Sequence, residues 1–338
     1  MRKLATIEEI KEVKPINGAD NIEAVRVRDW WVVAKKDLFQ VGTSCAFFEI
    51  DSFLPIIPPF EFLIKGTTKK RMIIDGKQVE GIRLKTVKLR GQLSQGLVVP
   101  LAELTNYSSV PLSQCDNGDD VTEALGVLKY EPPMPAELVG KAKGFFPSFI
   151  PKTDEERIQN MSEILSSFYM TEKLDGTSVT FYKKDGVFGV CSRNLELMEG
   201  ETTQWKIAKE KNLAEKLPDN FAIQCELVGE GIQKNPLKIN GQEIFCFNVY
   251  KIDSGIFLNY QDFVGFCESL GVKTVPIIND NFALPDSVDE LLLFAEGKSN
   301  INPESEREGI VIRSKIEMQF KGQRVSFKAI SNRYLLKD

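Results

Sequence analysis

The tetrapeptide Lys-x-Asp-Gly occurs twice in close succession, at 173–176 and 183–186, and both copies lie among strand-like runs. No other feature constrains the chain as much. The second copy reads as a hairpin turn, because Ser178-Val-Thr-Phe-Tyr182 and Val187-Phe-Gly-Val-Cys191 are two β-type runs joined at Asp185-Gly186. The first follows Tyr169-Met170-Thr171-Glu172 and leaves the amine of Lys173 between one strand and the next. An amine so placed can attack the α-phosphate of a nucleotide, expel pyrophosphate and hold the nucleotide as a phosphoramidate. The tetrapeptide alone arises by chance in roughly one chain in ten of this length. Spacing does not separate the two copies, so context must.

Composition narrows the chemistry. The 338 residues contain no histidine, which excludes imidazole-assisted triads, histidine metal sites and imidazole proton shuttles. Reactions must run on Lys, Asp, Glu, Arg, hydroxyls, thiols or a carboxylate-held metal. Cysteines 45, 115, 191, 225, 246 and 267 lack paired or metal-ligand spacing, so they are expected to be reduced, and those in apolar runs to act as small hydrophobes. The start, Met1-Arg-Lys-Leu-Ala-Thr-Ile-Glu-Glu, has no signal-peptide core, and no apolar run reaches the ~18 residues of a membrane span. An intracellular protein, cytoplasmic or nuclear, is expected. At 42% hydrophobic content the chain can fill sizeable cores, most simply in two domains.

The first ~100 residues read as short β segments. Val25-Arg-Val-Arg, Trp30-Trp-Val-Val-Ala, Ser44-Cys-Ala-Phe-Phe-Glu-Ile and Gln95-Gly-Leu-Val-Val-Pro are bounded by turn residues, and Asp75-Gly76 reads as a tight hairpin. A five-stranded OB-type barrel is the natural size match. Lys65 to Arg90 holds nine basic and two acidic residues in a chain of net charge −5. Arg83 with Lys85, and Lys88 with Arg90, read as pairs of cations on shared strand faces. Together with Lys69 and Lys70 they form either a solvated sheet face or a surface that tracks nucleic-acid phosphates. Screening over a Debye length of ~8 Å keeps the net negative charge elsewhere from preventing this. A short helix is expected at 121–126, and the breaker cluster Glu131-Pro-Pro-Met-Pro135 places the domain boundary, giving domains 1–130 and 131–338.

From Phe145 onward the pattern is α/β, so the chain is expected to be α+β overall: a barrel followed by an α/β domain with antiparallel sheets. Apolar residues at 158, 161, 164 and 165 predict a helix over 154–168, capped by Thr153 or Asp154. Strands are expected around 168–173, 178–182, 187–192, 221–228, 243–250, 309–314 and 325–330, with helices near 202–215 and 260–270. Four segments then bear on Lys173. Ser192-Arg193-Asn194 sets a guanidinium just past a strand, where it can grip phosphate. Cys225-Glu226-Leu-Val-Gly and Arg307-Glu308-Gly309-Ile-Val-Ile each bring a carboxylate to an apolar strand, costly unless it meets a ribose hydroxyl or a metal's waters. Phe327-Lys328-Ala-Ile places a cation within a strand. Each residue alone reads equally as a surface or strand-end charge.

The ordered set K-x-D-G, S-R-N, C-E-L-V-G, F-N-V-Y, E-G-I-V-I-R and F-K-A-I closely resembles the covalent nucleotidyltransferases, the superfamily of ATP-dependent ligases and mRNA capping enzymes. The segments Pro15-Ile-Asn-Gly-Ala-Asp-Asn-Ile-Glu, Glu49-Ile-Asp-Ser-Phe-Leu-Pro, Ser94-Gln-Gly-Leu, Tyr130-Glu-Pro-Pro and Phe146-Pro-Ser-Phe-Ile-Pro-Lys-Thr-Asp-Glu-Glu-Arg-Ile-Gln-Asn resemble the nick-sealing RNA ligases that carry an OB domain in front of the transferase domain. The resemblance covers essentially the whole chain. It implies that Lys173 takes AMP from ATP, passes it to a 5′-phosphate end, and a 3′-hydroxyl then displaces AMP to seal the strand. In the ATP pocket it implies Glu172 to orient base or nucleophile, Arg193 on a substrate or adenylate phosphate, and Glu226 on ribose or metal-bound water. Phe247 would stack on adenine and Lys328 would neutralise the α-phosphate. Mg²⁺ or Mn²⁺ would be held by Asp175, Glu226 and Glu308 through water. Lys69, Lys70, Arg83, Lys85, Lys88 and Arg90 would contact nucleic acid. The implied partner of this monomer is a nicked RNA duplex or RNA/DNA hybrid with 3′-hydroxyl and 5′-phosphate ends, and no membrane.

One departure stands out. The family's last motif often has two lysines one residue apart, whereas Lys328 is flanked at that distance by Ser326 and Ile330. Lys315 and Lys321 are the nearby cations available to fill the gap. Freeing a lysine amine at pH 7 costs on the order of 4–5 kcal/mol, so the chemistry predicts a depressed Lys173 pKa in the metal-bound enzyme. DNA ligases and capping enzymes carry their OB domain after the transferase core. The few residues beyond Lys328 leave no room for one here, which favours RNA ligase. A catalytically silent nucleic-acid-binding barrel protein is the remaining alternative.

Overall fold

A computed structural model describes residues 3–65, 69–74, 77–134, 138–160, 167–320 and 323–336. It divides into two compact units, Met1–Met134 and Pro135–Asp338. The first is built on a five-stranded antiparallel sheet in the order Leu97–Pro100, Ser44–Phe48, Ala5–Pro15, Ile22–Val27, Trp30–Lys35. Ala5–Pro15 pairs with Ser44–Phe48 over its first half and with Ile22–Val27 over its second, with a bulge between Ile10 and Glu12. Changing partners along one strand curls the sheet into the half-barrel of an OB fold. Phe47 and Phe48 point to opposite faces and enter different cores, which is why Cys45-Ala-Phe-Phe48 reads as an unbroken apolar run.

The first half of the strand Ala5–Pro15 carries no alternation because one of its charges, Glu8, is paired inside the fold. Glu8 is buried and accepts from Arg28 Nε at 2.8 Å. The helix expected at 121–126 is one turn only, closed by Leu125 N–H to Val121 O. Leu104, Leu112, Val121, Leu125 and Val127 cover the second core of this unit. The tip expected at Asp75-Gly76 lies outside the described residues, but its arms, Lys70–Ile74 and Lys77–Arg83, pair antiparallel.

The second unit is built on two large sheets, beside the short pair Gln319–Phe320 with Gln323–Arg324. The eight-stranded one runs Ala142–Phe145, Leu195–Leu197, Val187–Cys191, Thr177–Lys184, Phe221–Gly229, Gln242–Lys251, Ile256–Phe257, with Lys273–Thr274 attached in parallel to Gln242–Lys251. The five-stranded one runs Glu156–Arg157, Ser326–Ile330, Gly309–Ser314, Phe168–Lys173, Ile277–Phe282. Each sheet has its own apolar core. The larger sheet packs on the helices Thr203–Glu210, Leu213–Lys216 and Tyr260–Leu270, and the smaller on Val288–Ala295. The last helix was not anticipated, although Ser287-Val-Asp-Glu290 is a capping sequence; the Ser287 hydroxyl accepts from Glu290 N–H at 3.1 Å. No described helix is long and apolar enough to cross a membrane.

The helix expected over 154–168 does not form in its described part. Residues 151–155 are irregular, with a tight turn closed by Asp154 N–H to Lys152 O at 3.1 Å, Glu156–Arg157 pairs in parallel with Ser326–Ile330, and one 3-10 turn, Ile158–Asn160, follows; residues 161–166 lie outside the described residues. Both supposed caps serve tertiary contacts instead. Thr153 Oγ1 shares a hydrogen bond with Ser178 Oγ at 3.0 Å, and Asp154 faces Lys328.

This irregular segment is stitched to both sheets. Gln224 Nε2 donates to Pro151 O at 2.7 Å, Asn248 Nδ2 to Gln224 Oε1 at 2.9 Å, and Arg324 Nη1 to Asn248 Oδ1 at 2.9 Å. Glu155 Oε1 accepts from Nη2 of Arg313, a side chain only 2% exposed, at 2.8 Å. Burial works to raise the Glu155 carboxyl, but the charges of Arg313 and Arg324 bring it down to about 2. A carboxyl held low in the fold stabilises it above the unfolded value of about 4.5, and that gain fades as pH falls toward about 2. Glu155→Gln is therefore expected to lower stability near neutrality by about 3 kcal/mol. The gap between wild-type and variant melting temperatures should close between about pH 4.5 and pH 2. A gap that stays constant over that range would show that the pair does not titrate with folding.

Candidate active site

Lys173 ends a strand of the smaller sheet, Leu174-Asp175-Gly176 crosses over, and Thr177–Lys184 begins in the larger sheet. The crossing brings carboxylates from both sheets to one amine. Lys173 stands opposite Gly309, so the preceding Glu308 reaches its amine: Nζ to Oε2 is 2.7 Å. Glu226 comes from the other sheet, opposite Ser178. Asp175 accepts a short hydrogen bond from Tyr334 Oη, in the helix Asn332–Leu335.

The electrostatics follow from this crowding. Burial works to lower the Lys173 ammonium, but Glu308, Glu226 and Asp175 outweigh it and hold the pKa above its ordinary value. Burial, then Glu308 and Asp175, push Glu226 up to about 8, against the pull of Lys173 and a hydrogen bond from Gly176 N–H. The amine is thus held as an ammonium, the opposite direction to that expected with a metal present. Added positive charge among these carboxylates is what would release it.

Glu172 lies on the opposite side of its strand, 1% exposed, with Oε2 accepting from Asn300 N–H at 2.7 Å and Oε1 without a partner. Burial raises its pKa. Lys328 shares the face of Lys173: Thr171 pairs with Val311 and Val311 with Lys328, one step from Lys173 opposite Gly309. Its Nζ lies 3.6 Å from Asp154 Oδ1. Phe247 is half-buried against Leu174, Val228 and Val275, with the Arg313 guanidinium 5.8 Å from its ring centre. Arg193 is exposed, in the turn after Val187–Cys191, and makes no hydrogen bond or ion pair with this cluster among the described residues.

Neither suggested lysine is shown filling the gap beside Lys328. Lys315 sits 5.9 Å above the Tyr260 ring, and Lys321 lies outside the described residues. Ser326, one of the two flanking positions, stands opposite Arg313, and Ile330, the other, opposite Gly309. Tyr334 and Asn300 are the neighbours that sequence reading missed; Arg313 closes the E-G-I-V-I-R motif without an expected role of its own, and Asp154 was expected only as a helix cap.

In the first unit, two expected face-sharing pairs of cations are corrected. The strand Lys77–Arg83 ends at Arg83, which turns inward: Nη2 meets Asp51 Oδ1 at 2.6 Å and the guanidinium lies 4.6 Å from the Tyr130 ring centre. Lys85 is exposed beyond the strand. Lys88 is exposed in the short strand Val87–Leu89, and Arg90 with Gly91 makes the hairpin turn at φ +49° and +84°. Positive φ at both turn positions is the geometry a two-residue hairpin demands. Lys69 and Lys70 line a recess of about 610 Å³ with Arg71, Glu80, Tyr130 and Pro133.

Comparison with known proteins decides the family. Residues 166–330 match the RNA ligase family and residues 4–101 match an OB-fold domain. RNA ligase from Naegleria gruberi, solved as a mutant with AMP and manganese, is 38% identical, with a TM-score of 0.86 over 100% of this chain and 99% of that one. A mutant of the same protein with ATP and manganese is also 38% identical, with a TM-score of 0.85 over 99% of each chain. The protein with pyrophosphate is 39% identical, with a TM-score of 0.84 over 100% of this chain and 99% of that one. The chain belongs to the RNA ligase family. No curated protein sequence matched it.

In this RNA ligase the two Lys-x-Asp-Gly copies separate on their glycines. Gly186 has φ +75° with open space around it and follows Asp185 at φ +52°, so it serves a turn. Gly176 lacks a positive φ but is walled in: a Cβ there would lie 2.5 Å from Leu227 O, 2.6 Å from Val228 Cγ1 and 2.9 Å from Glu226 Cγ. It lets the link that follows Lys173 pass hard against the strand carrying Glu226. Gly176→Ala should therefore cut covalent incorporation of labelled ATP by at least about 10-fold in a folded protein. Gly186→Ala should leave incorporation intact and cost about 1 kcal/mol of stability. Equal incorporation by both variants would refute the distinction.

Proposed function

We propose that this RNA ligase is ATP-dependent, carries AMP on Lys173, and seals nicks in duplex RNA or RNA/DNA hybrids. The observation that carries the proposal is the contact of Lys173 Nζ with Glu308 at 2.7 Å, where strands of two sheets bring Glu226 and Asp175 to the same amine. The Naegleria gruberi structures hold ATP, AMP and pyrophosphate in turn, with manganese alongside ATP and AMP. These are the substrate and the two halves of an adenylyl transfer, which supports ATP as the nucleotide here.

The donor set fits a hard divalent cation. The carboxylates outnumber the ammonium, and Glu226 stands at about 8 partly because its negative neighbours lack compensation. Among the described residues no ready-made cage of three ligands exists, so Asp175, Glu226 and Glu308 would hold Mg²⁺ or Mn²⁺ through its waters. The cation would supply the positive charge that favours a neutral Lys173 and offsets charge on the departing pyrophosphate.

In the first step Lys173 Nζ attacks the α-phosphorus: a P–N bond forms, the α–β P–O bond breaks, pyrophosphate leaves and the amine loses its proton. Lys328, on the same sheet face, sits to neutralise the α-phosphate. Phe247 offers a ring face to adenine, and the unpartnered Glu172 Oε1 is an acceptor for the exocyclic amine of adenine, which guanine lacks at that position. In the second step an oxygen of the RNA 5′-phosphate takes the adenylyl group and frees Lys173, with Arg193 at a substrate or adenylate phosphate. In the third, the adjoining 3′-hydroxyl attacks the 5′-phosphorus and AMP leaves.

Mass spectrometry after incubation with ATP and magnesium should find one AMP adduct, on Lys173, absent from Lys173→Ala. An unmodified Lys173 refutes the proposal. With nicked duplexes bearing RNA or DNA on either side, wild type should seal those with RNA at the nick. The first unit would hold the duplex through Lys69, Lys70, Lys85, Lys88 and Arg90, with Arg83 restrained by Asp51. Reversing the exposed Lys85 and Arg90 to Glu should weaken nick binding and flatten its salt dependence while leaving adduct formation unchanged. Unchanged binding would return these residues to a solvated surface.

A further inference from the structure

We infer that the stretch Lys141–Lys152, on the outer edge of the eight-stranded sheet, is a second RNA-binding surface, where phosphates beside the nick are gripped and a base stacks on Phe145. The inference rests on the proposed function and adds a substrate contact within the transferase unit itself.

Residues 138–153 contain Lys141, Lys143 and Lys152 and no acidic residue, in a chain of net charge −5. The edge strand Ala142–Phe145 pairs on one side only, with Leu195–Leu197. Lysines on an edge strand are by themselves an ordinary defence against edge-to-edge pairing. That purpose does not require an aromatic ring in water, yet Phe145 is 89% exposed, the most exposed large apolar side chain among the described residues. Phe149 is partly exposed as well, with Lys184 Nζ 4.9 Å from its ring centre. Exposed rings interleaved with cations suit nucleic acid, since every base offers a π-face and every nucleotide a phosphate.

The cations divide by role. Lys143 is committed to Glu196 at 2.7 Å, whose same oxygen accepts from Tyr182 Oη. Lys141, Lys152 and Arg193 are exposed and form no ion pair among the described residues; Lys152 reaches only the Asn194 side-chain oxygen, at 3.5 Å. Phe146 N–H donates to Asn194 O at 2.9 Å, which fixes the turn bearing Arg193 beside the stretch. Past Lys152 the chain runs to the catalytic cluster. Thr153 bonds to Ser178, opposite Glu226, and Asp154 faces Lys328. The surface is therefore continuous with the place where the adenylylated end must lie.

The test uses full-length wild type, Phe145→Ala, and a Lys141→Ala/Lys152→Ala double variant. Three quantities are measured: AMP loading with ATP and magnesium, affinity of the loaded enzyme for a nicked RNA duplex between about 50 and 200 mM salt, and single-turnover sealing. Loading should stay within about 2-fold, while Phe145→Ala loses at least about 5-fold in nick affinity, the lower end of what stacking on one ring supplies. The double variant should lower the slope of log affinity against log salt by about 2, one unit per phosphate contact. If both variants bind and seal like wild type, the stretch is only a protected edge. If loading falls in step with sealing, the substitutions act through the pocket, and the surface is likewise overturned. If wild type loads AMP but leaves the nick open, the proposed function fails and takes this surface with it.

Discussion

Three carboxylates and one ammonium meet where two sheets exchange strands, and the transferase unit is organised around keeping them together. Lys173, Asp175, Glu226 and Glu308 come from separate strands or the link between them. Their surplus negative charge is unfavourable without a cation. Apolar cores on each sheet supply the restraint. Ile310, Ile312, Phe327 and Ala329 hold the strands flanking Lys173, while Val179, Cys225, Leu227 and Ile244 hold those flanking Glu226. The site is a strained charge pattern fixed by burial elsewhere, as expected of a pocket meant to receive a polyanion with its metal.

The sequence was most legible where local pattern and tertiary use coincide. The strands at 168–173 and 309–314 form over those residues, because nearly every side chain in them is buried and each holds an apolar run, Phe168-Tyr-Met170 and Ile310-Val-Ile312. Glu308 was recognisable because an acid-glycine pair opens such a run. The glycine has a mechanical reason: a Cβ on Gly309 would lie 2.2 Å from Ala329 O, so only glycine lets the strands close beside the acid. The two Lys-x-Asp-Gly copies were separable by their flanks, but why each needs glycine was not, since one answer is a dihedral angle and the other a distant strand.

What stayed hidden depends on partners far along the chain. The spacing of Ile158 and its neighbours is helical on paper, yet residues 151–157 form no helix, because Glu155, Pro151 and Thr153 have partners at 313, 224 and 178. The same holds for Arg83, which reads as a surface cation until Asp51 and Tyr130 are placed beside it. The contact of Tyr334 with Asp175 joins residues that no local rule connects. Propensity and periodicity describe a segment's own preferences; these contacts are chosen by closure of the sheets.

The absent second lysine can be argued from charge. On the face shared with Lys173, the two places where it could stand hold Ser326, opposite Arg313, and Ile330, opposite Gly309. Arg313 stands at the right position to replace it, but its charge is matched by Glu155, which is held ionised. Ile330, opposite Gly309, is an apolar side chain only 5% exposed and brings no charge to this face. Lys328 also has Asp154 at hand. The fixed positive charge on this face is therefore smaller than a nucleotide triphosphate carries in negative charge. On the proposed mechanism the balance must arrive with the nucleotide, as the metal bound to its phosphates, so that attack by Lys173 is conditional on the cation that accompanies ATP.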